Sequence, residues 1–275
     1  MNNIKHLTFA VDQGLRSLPF AALYDGNEFL IEQYSVSLMP SLALTNLEYV
    51  DIKSLDVLAM GADTFTEKSP LPAVPVELEI VSNVVWEGKS YLNDGFSTEN
   101  LKAIRSEVPY RLVHLATHGD FKTGDPSQSF ISFGDQELGL HELRELGLHQ
   151  PPVELMVLSA CNTALGDRQA ELGFAGLAVL AGVKSALGSL WYVSDIGTLG
   201  LIAEFYQQLG KQPIKSEALR QTQLAMIRGD VQFENGALIT EEQTFPLPAT
   251  LEQMGDRQLT HPYYWSAFTI IGNPW

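Results

Sequence analysis

Three near-continuous apolar runs constrain this chain more than any other feature: RLVHLAT at 111–117, VELMVLSA at 153–160 and VKSALGSLWYV at 183–193. Each has the length of a strand and none alternates between apolar and polar residues. Such runs belong in strands buried on both faces, and the connections between them are long enough for helical crossovers. Helix-period segments follow the runs, at 140–146, 169–181 and 194–209, and one precedes them at 97–107, where Ser97 and Asn100 bracket a cap. A further apolar strand is expected at 56–60. This alternation predicts an α/β fold with a mostly parallel sheet of about six strands and helices on both faces.

The flanks are expected to decorate that core within a single domain spanning 1–275. His6 to Asp12 and Phe29 to Leu38 surround the turn sequence YDGN, which predicts an N-terminal β-hairpin closed by Asp25-Gly26. A short helix should begin near Pro40, so 1–50 forms the hairpin and helix and 51–275 the α/β core. Residues 229–261, acidic and proline-bearing, are long for a connection and are expected to form a mobile insert before the final strand YYWSAFTII.

Composition narrows the function classes. The 17 basic and 33 acidic side chains leave a net charge of −16, which opposes binding to nucleic acid or to an anionic membrane. The longest apolar stretch, LGFAGLAVLAGV, is too short to cross a bilayer, and the N-terminus has no secretory h-region, so a cytoplasmic location is expected. Cys161 is the one cysteine, which excludes an intrachain disulfide and a multi-cysteine zinc site.

The chemistry-bearing residues follow strand ends. The first run delivers His118 and then Gly119, and the second delivers Cys161 and then NTALGD. In an open α/β sheet, ligands bind outside the carboxyl ends of the strands. If these two strands are neighbours, about 4.8 Å apart, an imidazole and a thiol face each other, and a thiol beside a histidine ionises readily. The backbone N–H groups of Gly119 and Cys161 are then candidate oxyanion donors. The alternative is that Cys161 is simply a small core residue. His114 and His118 have an H-x3-H spacing, but on a strand they are too far apart to share one metal ion, so His114 reads as a core histidine and no metal site is expected.

The segments LVHLATHGDF, LMVLSACNTALGD, GFAGLAVLAGVKSALGSLWYVSD, FYQQL and HPYYWSAFTIIGNPW, with DQGLRSLPFAALYDG near the start, together resemble the CHAT family of caspase-like cysteine proteases, relatives of separase and the caspases. The resemblance implies a caspase-type sheet, a His118/Cys161 dyad and peptide-bond hydrolysis through a thioester, with no cofactor or metal in the chemistry. It implies a protein substrate and regulation by a helical-repeat segment or partner of the tetratricopeptide type. Separase cleaves after arginine, so Asp195 becomes a candidate partner for a basic P1 side chain, with Trp191 and Ala160 as further substrate-binding candidates. Asp195 or Ser194 is equally suited to cap the helix that follows, and Trp191 to fill the core. The alternative function is a catalytically silent caspase-like interaction module.

Overall fold

The computed structural model describes residues 4–11, 15–121, 129–134, 136–159, 162–163, 178–179 and 181–275. Cys161, Ala160 and nearly all of the helix expected at 169–181 lie outside the described residues.

The core is a mostly parallel sheet. Its strands in chain order are β1 (His6–Phe9), β2 (Ser35–Leu38), β3 (Val57–Gly61), β4 (Gly88–Leu92) and β5 (Leu112–Ala116). Three small strands, β6 (Gly119–Phe121), β7 (Phe130–Phe133) and β8 (Gln136–Gly139), then leave the sheet before β9 (Leu155–Leu158) returns to it. After β10 (Asn162–Thr163) and β11 (Ser185–Ser189), the strands β12 (Gln232–Glu234), β13 (Ala237–Ile239), β14 (Thr244–Pro246) and β15 (Arg257–Gln258) precede β16 (Phe268–Gly272). The sheet runs in the order β1-β2-β16-β11-β9-β5-β3-β4, antiparallel only between β11 and β16.

Every position of β3, β5, β9 and β16 is buried, which is what their unalternating apolar sequences require. Four α-helices of six or more residues pack around the sheet among the described residues, α1 (Val74–Glu79), α2 (Thr98–Glu107), α3 (Asp195–Lys211) and α4 (Lys215–Arg228), and Leu140–Leu146 forms a 3-10 helix. The α2 cap is as expected, with Ser97 Oγ accepting from the Asn100 N–H at 3.1 Å.

The N-terminus is not a hairpin. The Asp25-Gly26 turn forms, with Asp25 Oδ1 accepting from the Asn27 and Glu28 amides, but it closes only the isolated Tyr24–Phe29 bridge. Residues 30–33 turn into helix, and β2 emerges parallel to β1. Both strands therefore join the main sheet, because β2 pairs with β16, and the sheet has eight strands where about six were expected. The final segment also differs from a plain strand: Pro262–Trp265 forms a helical turn capped by His261 before β16 begins.

The 229–261 segment, expected to be a mobile insert, carries structure of its own. Strands β12 to β15 form an antiparallel sheet in the order β14-β13-β12-β15, and Phe233, Leu238, Phe245, Leu251 and Leu259 are buried. It closes on α3 at Gly200, where an added Cβ would come within 2.5 Å of Leu259 Cδ1. The acidic, proline-bearing sequence concealed an alternating strand pattern short enough to resemble loop.

Candidate active site

Strands β3, β5, β9 and β11 are mutually parallel, so their carboxyl ends share one edge of the sheet. The chain order reverses around β3, which has β4 on one side and β5 on the other. Crevices form at such switch points because successive connections diverge there. The loop after β3 and the residue His118 after β5 meet at this place.

His118 is half-buried and held on several sides. Its ring lies against Phe65, 4.6 Å between centroids, and its Nε2 is 2.7 Å from the Ser69 carbonyl oxygen. A carbonyl only accepts, so Nε2 carries the proton and Nδ1 is left as the basic nitrogen. Its backbone is pinned by β7, where Ser132 N–H donates to the His118 carbonyl at 2.9 Å and Thr117 Oγ1 donates to the Ser132 carbonyl at 2.8 Å. Burial pulls the imidazole below its ordinary pKa; the Ser69 carbonyl opposes this, and the nearby Lys68 ammonium adds to it.

The residues on either side of Cys161 in sequence are paired to residues near His118. Leu158 is in register with Leu115, and the Ser159 N–H donates to the Leu115 carbonyl at 3.1 Å. Asn162 is in register with Asp120 through the β10–β6 pair. His118 follows Leu115 by the same three positions by which Cys161 follows Leu158. Gly119, the oxyanion candidate, is buried at the start of β6 and faces Ile131.

Helix α3 separates the two roles expected at its start. Ser194 is the cap, its Oγ accepting from the Gly197 N–H at 3.3 Å. Asp195 instead reaches another element, and its Oδ2 accepts from the Ala73 N–H at 2.7 Å. Burial pushes this carboxyl up to about 7, against the stabilising Ala73 amide and with the Glu77 carboxylate adding to the rise. Trp191 is partly buried, and its Nε1–H donates to the Tyr263 carbonyl at 3.1 Å, while the adjoining Tyr192 is exposed.

Beneath the crevice lies a buried polar group. His114 Nε2 is 2.8 Å from Glu77 Oε1, and the Tyr206 hydroxyl is 3.3 Å from His114 Nδ1. His114 is thus the core histidine expected, buried on β5 against Glu77 of α1 rather than in the cleft. On the β3 side of His118 opens a cleft of about 360 Å³ lined by Phe65, Thr66, Glu67, Lys68, Gly134 and Glu137. Lys68 is tied there to Ser132 Oγ at 2.6 Å and Glu137 Oε1 at 3.1 Å. No three histidine, cysteine, aspartate or glutamate side chains among the described residues group so as to hold a metal ion, and no described helix is long and apolar enough to cross a membrane.

Sequence reasoning placed His118 and Asp195 at this edge but missed Phe65, Lys68, Ser69 and Ala73. The loop TFTEKSPLPA carries no signal for them, because two of the four act through backbone atoms that any residue has. Its prolines were the one visible hint that the loop is stiff.

The fold has counterparts of known structure. The separase chain of a Saccharomyces cerevisiae separase–securin complex superposes with a TM-score of 0.58 at 15% identity, covering 99% of this chain and 16% of that one. A second separase–securin structure from the same yeast gives 0.58 at 14%, covering 100% and 16%. The Arg-specific cysteine proteinase gingipain R gives 0.52 at 12%, covering 92% and 57%. At these identities the likeness is one of fold, and the chain spans only about 16% of the length of the separase chains. No curated protein matches the sequence. The family model described as CHAT domain, however, matches residues 1–273, nearly end to end. With its mostly parallel sheet and a histidine at the switch-point crevice, this chain belongs to the CHAT domain family.

Proposed function

We propose that the protein is a cysteine endopeptidase in which Cys161 is the nucleophile and His118 the general base and acid. The observation that carries this reading is the register: Leu115 pairs with Leu158 on adjacent parallel strands, and in sequence His118 and Cys161 follow them by the same three positions. His118 Nδ1 takes the thiol proton, the sulfur forms a bond to the scissile carbonyl carbon, and the oxyanion is met by the Gly119 and Cys161 N–H groups. The carbon–nitrogen bond then breaks as His118 returns the proton to the leaving amine. Water, deprotonated by His118, cleaves the thioester and regenerates the thiol. The steps use only groups of the chain and water.

The substrate is a protein segment with a basic P1 residue, its charge met by Asp195 and its stem by Ala160 and Trp191. Two observations support this preference: Ser194 relieves Asp195 of capping, and gingipain R, of similar fold, is Arg-specific. Regulation by a partner, of the helical-repeat type that accompanies such domains, is in keeping with the separase crystallised with securin. A reactive thiol suits a reducing compartment, and the reading places the protein in the cytoplasm, with no role in nucleic-acid or membrane binding.

The test is alkylation of Cys161 by iodoacetamide near pH 6.5, where a free thiol of pKa about 8.5 reacts slowly. Rapid labelling that His118→Ala slows, with cleavage of a peptide library lost in Cys161→Ala, is the expected result. A cysteine that reacts only after unfolding would overturn the enzyme reading and leave the fold as an interaction module.

A further inference from the structure

We infer that Asp195 is also a positioning residue for His118, acting through the segment 69–73, so that the group that reads P1 and the group that moves the proton belong to one hydrogen-bonded unit. This rests on the reading of His118 as general base and Asp195 as the P1 partner.

Two hydrogen bonds bracket the sequence Ser69-Pro70-Leu71-Pro72-Ala73. At one end the Ser69 carbonyl takes the His118 Nε2–H at 2.7 Å, and at the other the Ala73 N–H donates to Asp195 Oδ2 at 2.7 Å. Two of the five residues are prolines, whose fixed φ leaves the segment little freedom to absorb a displacement. Leu71 is buried, and its N–H is bonded to the Asp63 carbonyl at 2.9 Å, so the middle is tied as well. The segment is therefore a strut, and moving Ala73 moves Ser69.

His118 needs such a strut. Its ring sits in a cleft wall, half-buried, and the other described group packed on it, Phe65, belongs to the same loop. The Ser69 carbonyl selects the tautomer with Nδ1 free, and loss of that acceptor lets the ring turn and the proton exchange between nitrogens. Asp195 is a costly choice for a mere structural contact. A partly desolvated carboxylate that does not cap its own helix is retained at a penalty that a neutral acceptor would avoid. A residue that must both hold Ala73 and receive a cation accounts for it.

The experiment compares Asp195→Asn, which keeps an acceptor for the Ala73 N–H but removes the charge, with Asp195→Ala, which removes both. Nitrogen-15 spectra of the His118 ring and the kcat and KM of matched peptides with Arg or Met at P1 are the readouts. Asp195→Asn, which still accepts from the Ala73 N–H, should lose the Arg preference while keeping the Nε2–H tautomer of His118. Asp195→Ala should in addition lower kcat for the Met peptide about 10- to 100-fold with KM little changed, as a misplaced base does. In the same variant His118 should titrate below the wild-type position and lose its Nε2–H signature. Should Asp195→Ala fail to fold, Asp195→Ser, whose hydroxyl is too short to reach Ala73, takes its place. Alanine and asparagine variants alike in His118 titration and tautomer would overturn the inference. The spectra need no turnover, so a protein that cleaves no peptide still decides it.

Discussion

Glu77 and His114 form a pair closed off from solvent, Oε1 to Nε2 at 2.8 Å, with the Tyr206 hydroxyl on the other ring nitrogen. The pair joins the first turn of α1 to β5 four residues before His118. Removing one partner of a buried pair strands the other, so Glu77→Ala should lower stability by about 3–5 kcal/mol, measured by urea unfolding. Glu77→Gln, which keeps an acceptor, should cost less. Equal losses in the two variants would show that packing, not the hydrogen bond, holds α1 here.

The Asp195 carboxyl, raised from 3.8 to about 7, makes a prediction about stability and pH. A carboxyl with a raised native pKa binds more protons folded than unfolded, so its contribution to stability is present at low pH and is lost as pH rises from about 4 to about 7. Asp195→Asn removes this loss. The variant should match or trail the wild type at pH 4 and exceed it at pH 8 by about 1–3 kcal/mol, as neutral groups replace a desolvated charge. The same ionisation predicts that kcat/KM for basic P1 peptides rises through pH 7 relative to Met peptides.

Lys68 sits close enough to His118 to hold its pKa down. Lys68→Gln should therefore raise the His118 pKa, and the acid limb of kcat/KM should move to higher pH. Lys68 is also paired with Glu137, so Glu137→Gln, which leaves the ammonium less neutralised, should move the limb the opposite way. Unmoved profiles in both variants would show that burial alone sets the histidine.

Residues 229–261 should exchange amide hydrogens slowly at Phe233 and Leu238, whose side chains are buried and whose strands are paired. Phe233→Ala should cost about 3–5 kcal/mol, the usual price of a large core truncation. Exchange as fast as in a loop, or a cost below 1 kcal/mol, would show the segment to be the mobile insert expected from its sequence.

The long apolar runs settled the central strands without help, because a strand covered on both faces must be apolar at every position, and LVHLA and LMVL are so apart from His114. The first run likewise sets His118 just beyond the carboxyl end of β5, at the edge where an open parallel sheet forms its crevice. Short amphipathic pieces were less legible. Strands β1 and β2 flank a genuine Asp25-Gly26 turn, yet they pair in parallel, since sheet membership depends on β16, more than two hundred residues away. What no reading along the chain could supply is the company of each side chain. Ser69 and Ala73 act through a carbonyl and an amide, which carry no sequence signature, and Asp195 could cap or reach outward with equal propriety until Ser194 took the cap. Local sequence determines which segments can be strands and helices; the tertiary structure alone decides which backbone groups are left facing a histidine.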